Sequence, residues 1–316
     1  MTELQRYLAE EVAEDHADGI ITRREAVRRL GLLGVSAGAI GALLGAAATD
    51  AVAKRSDARG DDGERRASEG ERDGERSRRA RAKADDWAPV ATEAITFGGP
   101  RGQLMAAWAP AAGKPPRGAV LVIHENRGLN DHIRNVAGRF AAGGYSALAL
   151  DLLSEEGGTA SFPDEAAVGA ALGAAPPERF DVDMKAAVTE LSKRAPKQKI
   201  AAIGFCFGGG MVWRLLAAGE RRLAAAAPFY GPFPVGGDLS RSRAAVLGVY
   251  AGLDDRVNAT RDAARAALQA AGLEHRIVTF TQAGHAFFND TGQRFDAAAA
   301  EEAWHRVLSW FGRHAD

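Results

Sequence analysis

Ile203-Gly204-Phe205-Cys206-Phe207-Gly208-Gly209-Gly210 is the most informative stretch of this chain. Ahead of it, Lys199–Phe205 is a short apolar run with strand character; behind it, Met211–Ala218 has helical character. A strand that enters a helix through one residue, with glycine two places to either side, is the context of a nucleophile elbow. Here it is written G-x-C-x-G in place of G-x-S-x-G. The reacting residue of such a turn carries a strained backbone, and its flanking glycines are needed because a Cβ would collide with the tight packing. The N–H groups that open the helix point at the sulfur. They favour a thiolate, and that of Phe207 can hold a developing oxyanion. The bland alternative is a glycine-rich turn around a buried thiol.

Beyond the turn, apolar runs alternate with amphipathic ones. Glu93–Phe97 and Leu104–Trp108 read as two opening antiparallel strands. Gly118–His124, Tyr145–Leu150, Leu223–Phe229, Ala245–Tyr250 and His275–Phe280 read as further strands. Continuous runs such as GAVLVIH belong to strands buried on both faces. Helical spacing covers Asp131–Ala142, Phe180–Arg194, Ala259–Ala271 and Ala297–Arg313, the last with Trp304, Val307, Leu308 and Phe311 inward. The order predicts an α/β domain, a mostly parallel sheet with helices on both faces.

Two later positions give the cysteine chemical company. Gly252-Leu253-Asp254-Asp255 places a carboxylate just beyond one late strand, and Ala283-Gly284-His285 places a histidine beyond the next. Nucleophile, acid and histidine is the chain order this architecture uses, and catalytic groups gather at the carboxyl ends of its strands. His285 is expected to accept the Cys206 proton while Asp254 fixes the imidazole's tautomer and orientation. Singly, either acid could be a helix cap, with Asp255 the rival to Asp254, and His285 could be an ordinary loop histidine.

These motifs, with His124-Glu125-Asn126-Arg127-Gly128-Leu129-Asn130 and Gly284-His285-Ala286-Phe287, resemble the dienelactone hydrolase family of the α/β-hydrolase fold over roughly residues 90–314. The resemblance implies ester or lactone hydrolysis, a Glu125 that takes part in activating Cys206, and an oxyanion hole built from the N–H groups of Asn126 and Phe207. The plain alternative for Glu125 is a structural carboxylate bonded to loop N–H groups. Family members that open dienelactone are understood to hold its carboxylate with two arginines. Here those regions carry Ser154-Glu155-Glu156 and Asn289, and Arg127 is the arginine nearest the site in sequence. His124-Glu125 lacks the second histidine of a zinc motif, and the reading calls for no metal and no cofactor.

The first 86 residues have a different character. Arg23-Arg24 precede an apolar, charge-free run from Leu30 to about Ala48, and Ala51-Val52-Ala53 follows. A positive region, a weakly hydrophobic core and an A-x-A site describe an export signal over residues 1–53, similar to the twin-arginine type although Ala26 stands where that motif prefers a bulky residue. The alternative is a membrane tether through residues 30–48. Residues 54–86 hold 11 basic and 10 acidic side chains and almost nothing apolar, the composition of an unfolded linker to a domain over 87–316.

Across the whole chain, 40 Lys+Arg against 41 Asp+Glu give no electrostatic case for nucleic acid as a partner; the expected partner is a small ester or lactone. With one cysteine no intramolecular disulfide can form. The competing function is a redox-sensing or ligand-binding protein with a reactive, non-catalytic thiol.

Overall fold

A computed structural model of the chain describes residues 1–58, 88–113 and 115–316. Eight strands form one sheet: β1 (Glu93–Gly99), β2 (Gly102–Ala109), β3 (Gly118–Ile123), β4 (Tyr145–Asp151), β5 (Ile200–Phe205), β6 (Leu223–Phe229), β7 (Ala245–Ala251) and β8 (His275–Phe280). Their spatial order is β1-β2-β4-β3-β5-β6-β7-β8. β2 runs antiparallel to both neighbours, and every pair from β4 to β8 is parallel. Every residue of β3, β4, β5 and β7 is buried. Strands with no exposed side must be covered on both faces, the reason their sequences are apolar without alternation.

The helices that cover them follow their apolar faces. Asn130 caps the helix Asp131–Ala142, accepting the Ile133 N–H at 3.1 Å, and Ile133, Val136 and Phe140 are buried. Phe140 meets Trp304 at 4.6 Å and Phe311 at 5.9 Å, which joins this helix to the closing one, Ala297–His314. Trp310, not Leu308, completes the closing helix's inner face, and its indole N–H donates to the Ala245 carbonyl at 3.2 Å. Pro177–Arg194 buries Phe180, Met184, Val188 and Leu191, and packs on the helix Phe207–Ala217 that follows β5. The helix expected over Ala259–Ala271 is Arg261–Ala270, and a separate short helix, Asp255–Asn258, precedes it. The break falls at Thr260, whose hydroxyl donates to the Val257 carbonyl and accepts the N–H of Phe233.

The chain packs as two compact units: one holds residues 88–162 and 176–316, the other the described residues of the N-terminal part together with 163–175. In the second, α1 (Glu3–Ala17), α2 (Arg23–Leu32) and α3 (Ala37–Ala58) pack with α4 (Glu165–Ala174), a helix absent from the sequence-based expectation. The helices meet closely at Gly173, where a Cβ would stand 2.9 Å from the Leu33 side chain and 3.3 Å from that of Leu8. Arg28 adds an ion pair to Asp164 at 3.0 Å. The apolar run from residue 30 to 48 is divided between α2 and α3, with Gly34 at positive φ between them. Among the described residues no helix is long and apolar enough to cross a membrane. Residues 54–58 of the expected linker are the last of α3; the remainder, 59–86, lies outside the described residues.

Beside the carboxyl end of β4, a charged cluster holds the loop that follows. Arg179 donates to the Leu152 carbonyl at 2.8 Å and pairs with Glu156; Arg101 pairs with Glu155 at 2.5 Å and with Asp183 at 3.3 Å. Burial pushes the Asp183 carboxyl up to about 6, assisted by Glu155 and Glu156 and opposed by Arg101 and Arg179. A carboxyl that binds its proton more tightly in the folded state makes stability fall as pH rises from the unfolded value toward the folded one. Asp183→Asn is therefore expected to gain on the wild type by about 1 kcal/mol between pH 4 and 7, a value reduced for solvent screening. Urea-unfolding midpoints of the two proteins across that range check it; parallel curves would refute it.

Candidate active site

The elbow begins with the close approaches its glycines permit. A Cβ on Gly204 would lie 2.2 Å from the Gly208 carbonyl oxygen, and one on Gly209 would lie 2.3 Å from that of Phe229. A Cβ on Gly208 would stand 2.4 Å from the Ile123 carbonyl oxygen and 2.5 Å from that of His124. The turn is thus wedged against the end of β3, at Ile123 and His124. Cys206 itself has φ 55° and ψ −120°, a conformation that non-glycine residues rarely adopt. Its N–H is held by the Phe229 carbonyl at 3.0 Å, and its carbonyl accepts from Gly210 at 3.1 Å. Phe207 opens the following helix, whose first-turn N–H groups have no acceptor within the helix.

Gly208→Ala is expected to cost at least about 3 kcal/mol of stability, the upper end for overpacking, because both contacts are backbone and neither can rotate away. Denaturant unfolding measures it; a loss below about 1 kcal/mol, the lower end of that range, would show the turn to be looser than these distances imply.

Asp254 and His285 meet although 31 residues separate them. The imidazole Nδ1 lies 2.5 Å from Asp254 Oδ2, and both side chains are buried. Asp254 also caps the short helix after β7, accepting the Val257 N–H on Oδ1 at 3.1 Å. The cap and the histidine partner are therefore the same residue, one oxygen for each. The rival Asp255 is exposed in the first turn of that helix. One ring nitrogen of His285 and the Cys206 sulfur lie within 4.8 Å. Since Nδ1 is taken by Asp254, Nε2 is the nitrogen left for the thiol.

Electrostatics follow from that burial. Desolvation pushes the imidazole's proton affinity down, but the Asp254 charge, its hydrogen bond and Cys206 outweigh it and hold His285 well above the ordinary histidine range. Burial likewise raises Asp254, and the His285 charge and hydrogen bond, with help from Arg256, bring it below the usual carboxylate value. His124 is the opposite case. Burial pushes it down; Nδ1 lies 2.6 Å from the Glu125 carbonyl and Nε2 accepts the Leu152 N–H at 3.1 Å, so the neutral ring serves the backbone.

The family profile for the dienelactone hydrolase family matches residues 105–315. The chain belongs to the dienelactone hydrolase family. An Escherichia coli O157:H7 relative named "Putative carboxymethylenebutenolidase" is 32% identical over 221 residues, which cover 65% of this chain and 80% of the relative. Among solved structures, a dienelactone hydrolase-like promiscuous phosphotriesterase from metagenomic libraries superposes with TM-score 0.64 at 25% identity, covering 72% of this chain and all of that one. An esterase of Pyrobaculum calidifontis shares the fold, with TM-score 0.54 at 15% identity over 75% of this chain and 90% of the esterase. As a dienelactone hydrolase-family protein the chain is a hydrolase built on the α/β-hydrolase fold.

Two contacts of this site, and one of the loop after β4, have no local signature. Glu125 is buried, and its Oε2 accepts a hydrogen bond not from loop N–H groups but from the Asn289 side chain, at 2.6 Å. Tyr230, at φ 34°, sets its ring edge-on to His285 at 5.3 Å. Arg179 reaches the loop after β4 from a distant helix, where the sequence showed only Ser154-Glu155-Glu156. Arg127 and Asn126 are half-buried in the loop after Glu125.

Proposed function

We propose that this protein hydrolyses carboxylic ester or lactone bonds of small molecules with Cys206 as nucleophile, His285 and Asp254 as its proton-transfer pair and Glu125 as a participant in thiol activation. The observation that carries the proposal is the imidazole that a buried Asp254 carboxylate holds within 4.8 Å of the Cys206 sulfur. Glu125, the buried carboxylate that follows β3, is the group proposed to take the thiol proton.

Attack breaks the S–H bond, with the proton going to Glu125, and forms a bond from sulfur to the carbonyl carbon. The N–H groups of Asn126 and Phe207 stabilise the oxyanion. On collapse the C–O bond breaks, and the alkoxide takes the His285 proton. Water then attacks the thioester, giving a proton back to His285. The acid leaves, and the thiolate recovers its proton from Glu125. One ester and one water become an acid and an alcohol.

An ester and lactone panel with mass spectrometry of the intact protein tests this. The expected result is turnover of activated esters and a transient acyl adduct on Cys206. A Cys206 that oxidises readily in a protein without activity on any ester or lactone would overturn it in favour of a redox role.

Export is proposed for the N-terminal segment. The exposed Arg23-Arg24 pair ahead of a charge-free run and Ala51-Val52-Ala53 supports it. N-terminal sequencing of the mature protein with cell fractionation checks it; an intact Met1 or Thr2 in a cytosolic fraction would refute it.

A further inference from the structure

Asn289 stands four residues beyond His285, at the end of a tight loop in which its N–H donates to the Ala286 carbonyl at 3.0 Å. Its side chain is buried and fully oriented. Oδ1 accepts from the Thr291 N–H at 3.0 Å and from the Thr291 hydroxyl at 2.7 Å, which leaves Nδ2 to face Glu125 Oε2 at 2.6 Å. An amide can point either end at a carboxylate, and two donors on its oxygen remove that choice. The other carboxylate oxygen, Glu125 Oε1, is buried without a hydrogen-bond partner among the described residues. A buried carboxylate oxygen left open is costly in a merely structural role.

We propose that Asn289, its amide locked by Thr291, is a positioning residue that holds Glu125 by Oε2 with an uncharged donor and leaves Oε1 open to take and return the Cys206 proton. The inference rests on the hydrolytic reading above. Its physical content is the neutrality of the clamp. A guanidinium at this place would bind the carboxylate as an anion and make its protonation unfavourable, whereas an amide orients it at a smaller cost to basicity. The loop that carries His285 thereby also sets Glu125, so both proton carriers share one support. Asp290, the next residue, ties that support to the helix Asp131–Ala142 through His132 at 2.9 Å and through Arg139.

The test compares Asn289→Leu, Thr291→Val and Thr291→Ser, each in the wild-type and Glu125→Gln backgrounds, by pH profiles of kcat/KM on an uncharged ester. Loss of a hydrogen bond to an anion raises the pH at which it ionises. Asn289→Leu is therefore expected to move the acid limb up by about one pH unit, with KM nearly unchanged. Thr291→Val should shift it by a smaller amount in the same direction, and Thr291→Ser should restore it. In the Glu125→Gln background the same changes should have less than about a threefold effect, since the group being positioned is gone.

Cys206 is the only cysteine, so the pH profile of its alkylation by iodoacetamide reads the same site without any ester. If the wild type hydrolyses nothing, the hydrolytic proposal fails and alkylation alone decides the clamp. Unshifted profiles in a folded Asn289→Leu protein, or effects that add fully to Glu125→Gln, would overturn it. Should Asn289→Leu not fold, the Thr291→Val and Thr291→Ser pair decides the matter by the same criteria.

Discussion

Replacing Cys206 by alanine is expected to lower kcat/KM on the best ester by about 10,000-fold or more, with substrate affinity and fold intact. Removing a nucleophile removes the covalent route altogether, leaving only binding and oxyanion stabilisation. The side chain is small and its backbone N–H and carbonyl are independently held by Phe229 and Gly210, so stability should change little. Alanine at φ 55° is no less strained than cysteine. Serine is the sharper comparison. It keeps the geometry, but its hydroxyl is far harder to ionise than a thiol. Cys206→Ser should retain a small residual rate, well below one part in a hundred. Steady-state kinetics with active-site alkylation as a control decide it; an alanine variant with wild-type turnover would sink the mechanism.

Asp254→Asn should cost nearly as much in rate and almost nothing in fold. Asparagine can keep Oδ1 on the Val257 N–H and so preserve the helix cap. The group it then offers to His285 is an amide N–H₂, a donor set against a nitrogen that now donates. The imidazole must move its proton to Nε2 or turn away, and it loses the buried charge that holds it protonated. A loss of about 1,000- to 10,000-fold in kcat is expected, with unfolding free energy within about 1 kcal/mol of the wild type. Kinetics and denaturant unfolding on one preparation separate the two roles. Equal loss of rate and stability would mean that Asp254 is chiefly a cap.

Much of this fold can be read along the chain because the relevant signals are local. Gly204 and Gly208 announce a turn that only glycine permits, and the all-apolar runs of β3, β5 and β7 announce strands buried on both faces. The order of Cys206, Asp254 and His285 is equally plain. Boundaries are less secure where a side chain decides them, as at Thr260, whose hydroxyl bonds the Val257 carbonyl just ahead of the helix Arg261–Ala270. The helix Glu165–Ala174 escapes a pattern-based reading because an alanine- and glycine-rich segment shows little amphipathic contrast. Its apolar residues could belong to a buried helix or to a loop, and packing against Leu8 and Leu33 makes it the former.

Local chemistry is therefore written in the residues: an elbow needs its glycines, a buried strand its apolar run, and a proton-transfer set its residue types in order. Which groups touch is settled by folding alone. Asp254 rather than Asp255 turns inward because the short helix after β7 leaves the first buried and the second in solvent. Asn289, in sequence merely a position without an arginine, becomes the partner of Glu125 across 164 residues. No spacing rule reaches that far. Such a contact exists because β3 lies beside β5 and the loop after β8 returns to β5, where Phe288 stacks on Phe205 at 5.1 Å; burial then requires that the polar groups gathered there find one another.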